Sequence, residues 1–171
     1  MALNKKVEEV LNKQINAEFW SAYFYLSMSN YFNANGMPGF ANWMKVQFQE
    51  ETSHAIKILD YVNERGGRVV LEPITEVPSS WNGVLDIYEE TLNHEMKVTA
   101  LINDCVEVAM EVRDHATVNF LQWFVDEQVE EEATVSEILD QLKMFNCEGQ
   151  GLYMMDKEFK ARVFVDPNQQ A

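Results

Sequence analysis

Glu51 and His54 stand three residues apart in the segment Gln49-Glu50-Glu51-Thr52-Ser53-His54, a spacing that brings a carboxylate and an imidazole onto one face of a helix within reach of one metal ion. Glu51 also interrupts an apolar stripe of residues spaced alternately by four and three, and Glu18, Glu95 and Glu131 interrupt three similar stripes. A carboxylate buried without a partner is costly, and four at one level repel each other. No Lys or Arg lies on these stripes, so a bound cation is the natural partner. Oxygen-rich ligands with a single imidazole suit Fe(II), Mn(II) or Zn(II) rather than Cu(I), and redox work favours iron. In this reading Glu18 and His54 are terminal ligands of one metal, Glu51 bridges, and Glu95 and Glu131 hold the second.

A second group of carboxylates lies next to the first. Glu50 adjoins Glu51, and Glu127 and Glu130 sit in the run Asp126-Glu127-Gln128-Val129-Glu130-Glu131-Glu132. Glu127 and Glu130 are neighbours on a helix surface directed toward the helix of Glu50, which makes an outer cation site or, equally, a solvated acidic face. For Glu132 the solvated face is expected. Tyr25, two turns beyond Glu18, and Trp123, one turn before Glu127, read either as core aromatics or as groups beside the metal, where a phenol hydrogen-bonds a ligand or supplies an electron. His94 and His115 fall outside the stripes and are expected at a surface or interface.

The elements that must position these residues follow from the punctuation. The chain has only 7 Gly and 4 Pro, clustered at Asn35 to Gly39, Gly66 to Trp81 and Asn146 to Gly151, with a weaker break near Arg113-Asp114. Helices are expected at about 5–33, 39–65, 82–111 and 115–145, with a short fifth at about 152–164. The stripes read Leu11, Ile15, Glu18, Ala22, Tyr25, Phe32; Met44, Phe48, Glu51, Ala55, Ile58; Leu85, Tyr88, Leu92, Glu95, Ile102; and Leu121, Phe124, Gln128, Glu131, Val135, Ile138. Each glutamate is near the midpoint of its helix, so in a bundle of near-equal helices all four meet at the waist whichever way each helix runs. The short breaks make the first two helices antiparallel, and likewise the third and fourth. Residues 67–81, extended, reach up to about 50 Å against roughly 40 Å for a 27-residue helix. One long crossover between parallel second and third helices is thus expected, although a shorter path over the end of the bundle fits the same length.

Composition narrows the function. The chain has 171 residues, 47% of them hydrophobic, which suits one domain over 1–171 with a substantial core. Asp and Glu number 28 against 13 Lys and Arg, a formal charge of −15. That excess, without a basic cluster, argues against nucleic acid and for cations. The start of the chain has no signal-like apolar stretch and no apolar run spans a membrane, so a cytoplasmic protein is expected. Cys105 and Cys147, with no CxxC pair, read as ordinary reduced thiols.

Over essentially its whole length the chain resembles the bacterial non-heme ferritins. The matching features are Asn16-Ala17-Glu18, Gln49 to His54, His94-Glu95, Asn119-Phe120-Leu121-Gln122-Trp123 leading into Glu127 to Glu132, and Gly151-Leu152-Tyr153 opening the fifth helix. The resemblance implies an all-α, ferritin-like four-helix bundle and a ferroxidase. Glu18, Glu51 and His54 would bind one iron, and Glu51, Glu95 and Glu131 the other, with Gln128 adjacent and Tyr25 and Trp123 beside the centre. It implies a third iron at Glu50, Glu127 and Glu130, sharing Glu131, and storage of ferric mineral in a homo-oligomeric shell of 24 subunits. Bacterioferritins carry a second Glu-x-x-His on the fourth helix and a methionine that holds heme. Here those positions read Gln128-x-x-Glu131 and Thr52, so no heme is expected. Dioxygen or hydrogen peroxide would be the oxidant. The rival reading is a di-iron oxidase or peroxidase without a storage role.

Overall fold

The computed structural model describes residues 3–166; positions 1–2 and 167–171 of the single domain expected over 1–171 lie outside the described residues. Five helices follow one another: α1 Lys5–Ala34, α2 Pro38–Glu64, α3 Val84–Glu111, α4 His115–Met144 and α5 Gly149–Phe159. No strand occurs among the described residues. The sequence supplies the ends. The Asn4 side chain accepts from the Lys6 amide at 2.9 Å at the start of α1, Pro38 opens α2, and Asp114 accepts from the Thr117 amide at 3.2 Å at the start of α4.

The four long helices fall within two residues of the expected bounds, but α5 does not. It begins at Gly149 rather than 152 and stops at Phe159 rather than 164. Gly149, with φ 66°, reads as a break yet starts the helix, and Gly151 is inside it. A Cβ on Gly151 would lie 2.5 Å from the Phe145 ring, so this glycine is needed for close packing rather than for turning. Beyond Phe159 the chain leaves the helix and runs along α2, held by Asn42 Nδ2, which donates to the carbonyls of Phe159 and Arg162 at 2.9 Å each.

Three-residue turns join α1 to α2 and α3 to α4. The connection from α2 to α3 contains no helix or strand and is laid along α1. Glu8 accepts from the Arg68 amide at 3.0 Å, Asn12 from the Val70 amide at 2.7 Å, and Asn16 donates to the Glu72 carbonyl at 3.2 Å. Farther on, Ser27 donates to the Pro78 carbonyl at 2.6 Å and the Tyr31 hydroxyl to the Trp81 carbonyl at 3.0 Å. From Glu8 to Tyr31 is about 35 Å of helix, so the crossover runs the height of the bundle and α2 and α3 are parallel. The shorter path is excluded.

The core is divided in two. One apolar cluster gathers Phe24, Met28, Phe32, Phe40, Met44, Ile87, Tyr88, Val135 and Leu142; the other gathers Val7, Leu11, Ile15, Ile58, Val62, Ile102, Leu121 and Phe124. Between them every long helix contributes buried polar groups: Gln14 and Glu18, Gln47, Glu51 and His54, Glu95, and Gln128 and Glu131. A polar slab across the middle of a bundle replaces apolar packing with groups that need partners, and it marks where chemistry is placed.

Candidate metal centre

Glu18, Glu51, His54 and Glu95 are each no more than 2% exposed, and Glu131 is 7% exposed. Glu18, Glu51 and His54 each bring one ligand atom within 4.8 Å of the other two, the one such group of three among the described residues. Glu18 Oε1 accepts from Gln14 Nε2 at 2.8 Å, which leaves Oε2 buried with no hydrogen-bond partner. His54 Nδ1 lies 3.7 Å from Glu51 Oε2. His54 Nε2 is also buried with no hydrogen-bond partner; its nearest carboxylate oxygen, Glu127 Oε1, is 4.0 Å away, too far to satisfy it. Two buried polar atoms without hydrogen-bond partners in one cluster fit a cation.

Two more glutamates complete the slab. Glu95 accepts from the Tyr25 hydroxyl and, at 3.2 Å, from Gln128 Nε2. Gln128 also donates to the Glu95 carbonyl and to Thr99 Oγ1, both at 3.3 Å, which fixes its amide. Glu131 Oε2 accepts from Gln47 Nε2 at 2.9 Å. Trp123 and Phe124 hold the His54 imidazole edge-on, with ring centroids at 5.4 and 6.0 Å.

Burial governs the charges. It raises the carboxyls of Glu18, Glu51 and Glu131 above the usual range, Glu51 further through the negative fields of Glu95, Glu18 and Glu131. Glu95 is pushed up by burial to about 7, with Tyr25 and Gln128 opposing the rise. Burial, with Lys57 nearby, lowers His54 to about 4, so at neutral pH its imidazole is uncharged and able to ligate. Tyr25 is raised well above its ordinary value by burial and by the Glu95 carboxylate, so it remains a hydrogen-bond donor. Glutamates that are costly to ionise, facing a neutral imidazole, form a site that a divalent cation would convert to its charged state.

The family model for the ferritin-like domain matches residues 8–145. The chain belongs to the ferritin-like family. The bacterial non-heme ferritin of Bacteroides fragilis is 41% identical over 94% of this chain and 99% of its own length, and that of Campylobacter jejuni 39% identical over 92% and 95%. Among solved structures, an engineered closed form of Archaeoglobus fulgidus ferritin is 49% identical, with a TM-score of 0.94 over 96% of this chain and all of the other. The open-pore ferritin of the same archaeon gives a TM-score of 0.93.

In this ferritin-like chain the outer acidic group is less uniform than its sequence suggests. Glu50 and Glu127 are half-buried while Glu130 is exposed. Burial raises Glu127, helped by the charges of Glu130 and Glu50. Glu50 is ion-paired with Arg162 at 2.6 Å. Glu132, expected on a solvated face, is half-buried and accepts from Thr99 Oγ1 at 2.5 Å. His94, expected at a surface or interface, packs among Trp20, Phe24 and Tyr25 with its Nε2 2.8 Å from Ser21 Oγ. Burial lowers it to about 4, so it is a neutral member of an aromatic cluster beside Tyr25. Gln14 and Gln47 were not anticipated. The available signal is that each stands four residues before a stripe glutamate, Glu18 and Glu51, and so shares its face.

Proposed function

We propose that this chain is an iron-storage ferroxidase: it oxidises Fe(II) to Fe(III) at a di-iron centre within each bundle and deposits ferric mineral inside a homo-oligomeric shell. The observation that carries this reading is the buried polar slab, in which Glu18 Oε2 and His54 Nε2 are donor atoms with no hydrogen-bond partner. Glu18 and His54 hold one iron, Glu51 bridges, and Glu95 and Glu131 hold the second. Two Fe(II) each give one electron and, with two protons from solvent, reduce dioxygen to hydrogen peroxide or hydrogen peroxide to two waters. Gln47 and Gln128 orient Glu131 and Glu95. Tyr25, donating to Glu95, is placed to supply a hydrogen bond or an electron.

Glu50, Glu127 and Glu130, with Glu131, form a third iron site through which metal leaves the pair. Thr52, whose hydroxyl donates to the Phe48 carbonyl at 2.7 Å, presents no soft ligand, in keeping with a heme-free protein. The similarity to ferritins along nearly the full chain supports a shell of 24 subunits. No helix among the described residues is long and apolar enough to cross a membrane, which is consistent with the cytoplasmic placement we propose. Stopped-flow oxidation of Fe(II) tests the site. Replacing Glu18 or His54 by Ala is expected to abolish the fast phase, and an unchanged rate in both variants would overturn the ligand assignment.

A further inference from the structure

The sequence stripes place no positive charge near the waist, yet the chain after α5 delivers one. Arg162 Nη2 lies 2.6 Å from Glu50 Oε2 and donates also to Gln47 Oε1. Nη1 donates to the Trp43 carbonyl at 3.2 Å, and the guanidinium lies over the Trp43 ring, 4.6 Å from its centroid. Asn42 fixes the Arg162 backbone through its carbonyl at 2.9 Å. Gln47, which accepts from Arg162, passes its own amide to Glu131 Oε2 at 2.9 Å. A single guanidinium therefore neutralises Glu50 directly and is linked through one residue, Gln47, to a waist carboxylate. The pair is partly shielded, with side-chain exposures of 26% and 21%, so it is screened less than a surface pair yet open to exchange.

We propose that Arg162 is a tethered cation occupying the outer acidic site, and that it must leave Glu50 before a metal ion can bind between Glu50, Glu127 and Glu130. This rests on the iron-oxidising reading above. The carboxylate that an incoming ion needs is already engaged by a charge-assisted bond. The third site is then weak by construction: it fills when iron presses outward from the pair and empties when Arg162 returns. The planar fork suits Arg here, since Nη2 serves Glu50 and Gln47 while Nη1 reaches the Trp43 carbonyl and the plane lies over the Trp43 ring, an arrangement an ammonium cannot reproduce in full.

The test is an anaerobic calorimetric titration of the metal-free assembled protein with Fe(II), which reads binding without turnover. Arg162→Gln keeps a donor for Gln47 while removing the charge, and it is expected to tighten the third iron by roughly tenfold while the tight pair is unchanged. Arg162→Lys keeps the charge but loses the fork, and should fall between the parent protein and Arg162→Gln. In Glu50→Gln the third binding event should vanish whatever residue stands at 162. A third-site affinity in Arg162→Gln unchanged from the parent, or weaker, would overturn the role of Arg162, the latter making it an organiser of the site. Absence of the tight pair in the parent protein would instead refute the iron-oxidising reading itself.

Discussion

Glu95, with its carboxyl pushed up by burial to about 7, shows how costly the waist carboxylates are to ionise. A carboxyl whose folded pKa is raised contributes stability while protonated, and that contribution disappears as pH rises through the folded value. His54 acts in the opposite sense. Lowered from 6.5 to about 4, it contributes stability as a neutral ring, which is lost as pH falls through that interval. Above pH 6.5 the glutamates alone govern the slope. The melting temperature of the metal-free protein is therefore expected to fall by several degrees from about pH 6.5 to pH 8, and redox-inert Zn(II) should restore it. A flat metal-free profile over that range would contradict the buried-charge picture. Tyr25→Phe removes a donor that opposes the rise of Glu95. In that variant Glu95 should titrate higher, so the melting-temperature loss should extend to higher pH before it levels off.

Along each helix the pattern of stripes determines what can be read in advance. Alternation by four and three placed Glu18, Glu51, Glu95 and Glu131 on inward faces because four long helices of similar length share one waist, and each of these residues is buried. The residues that hold them were less legible. Gln14 and Gln47 look like ordinary polar positions, and only the fold reveals that they face carboxylates on the same or a neighbouring helix. Arg162 was invisible for a different reason: its reach to Glu50 depends on α5 ending at Phe159, whereas the punctuation of the sequence suggests a helix to about 164. The crossover path also needed the structure, since length allowed two routes and the hydrogen bonds of Asn12, Asn16 and Ser27 select one. At this scale Gly39 is decisive. Asp156 of α5 accepts from the Gly39 and Phe40 amides at 2.7 and 3.2 Å, satisfying the start of α2. A Cβ on Gly39 would come within 1.6 Å of the Asp156 carbonyl oxygen. Gly39→Ala is expected to cost about 1–3 kcal/mol in denaturant unfolding and to speed amide exchange in α5, and parent-like exchange there would argue against this contact.

For the molecule as a whole, the charge of −15 separates into parts with different work. Four glutamates lie inside the bundle, Glu50 is paired with Arg162, and carboxylates such as Glu130 are exposed and contribute a negative surface field. The two apolar clusters on either side of the slab carry the hydrophobic stability, so the metal-free bundle is expected to stay folded while its waist carboxylates repel each other. Light scattering after size exclusion is expected to give a single large closed assembly, and a monomer or dimer at working concentration would contradict the shell. Storage itself is tested most directly by stoichiometry. Anaerobic protein loaded with Fe(II) and then exposed to oxygen should pass through a transient visible band and continue to take up iron far beyond the capacity of its binding sites, giving a mineral-filled particle. Oxidation that stops at two or three irons per chain would contradict it.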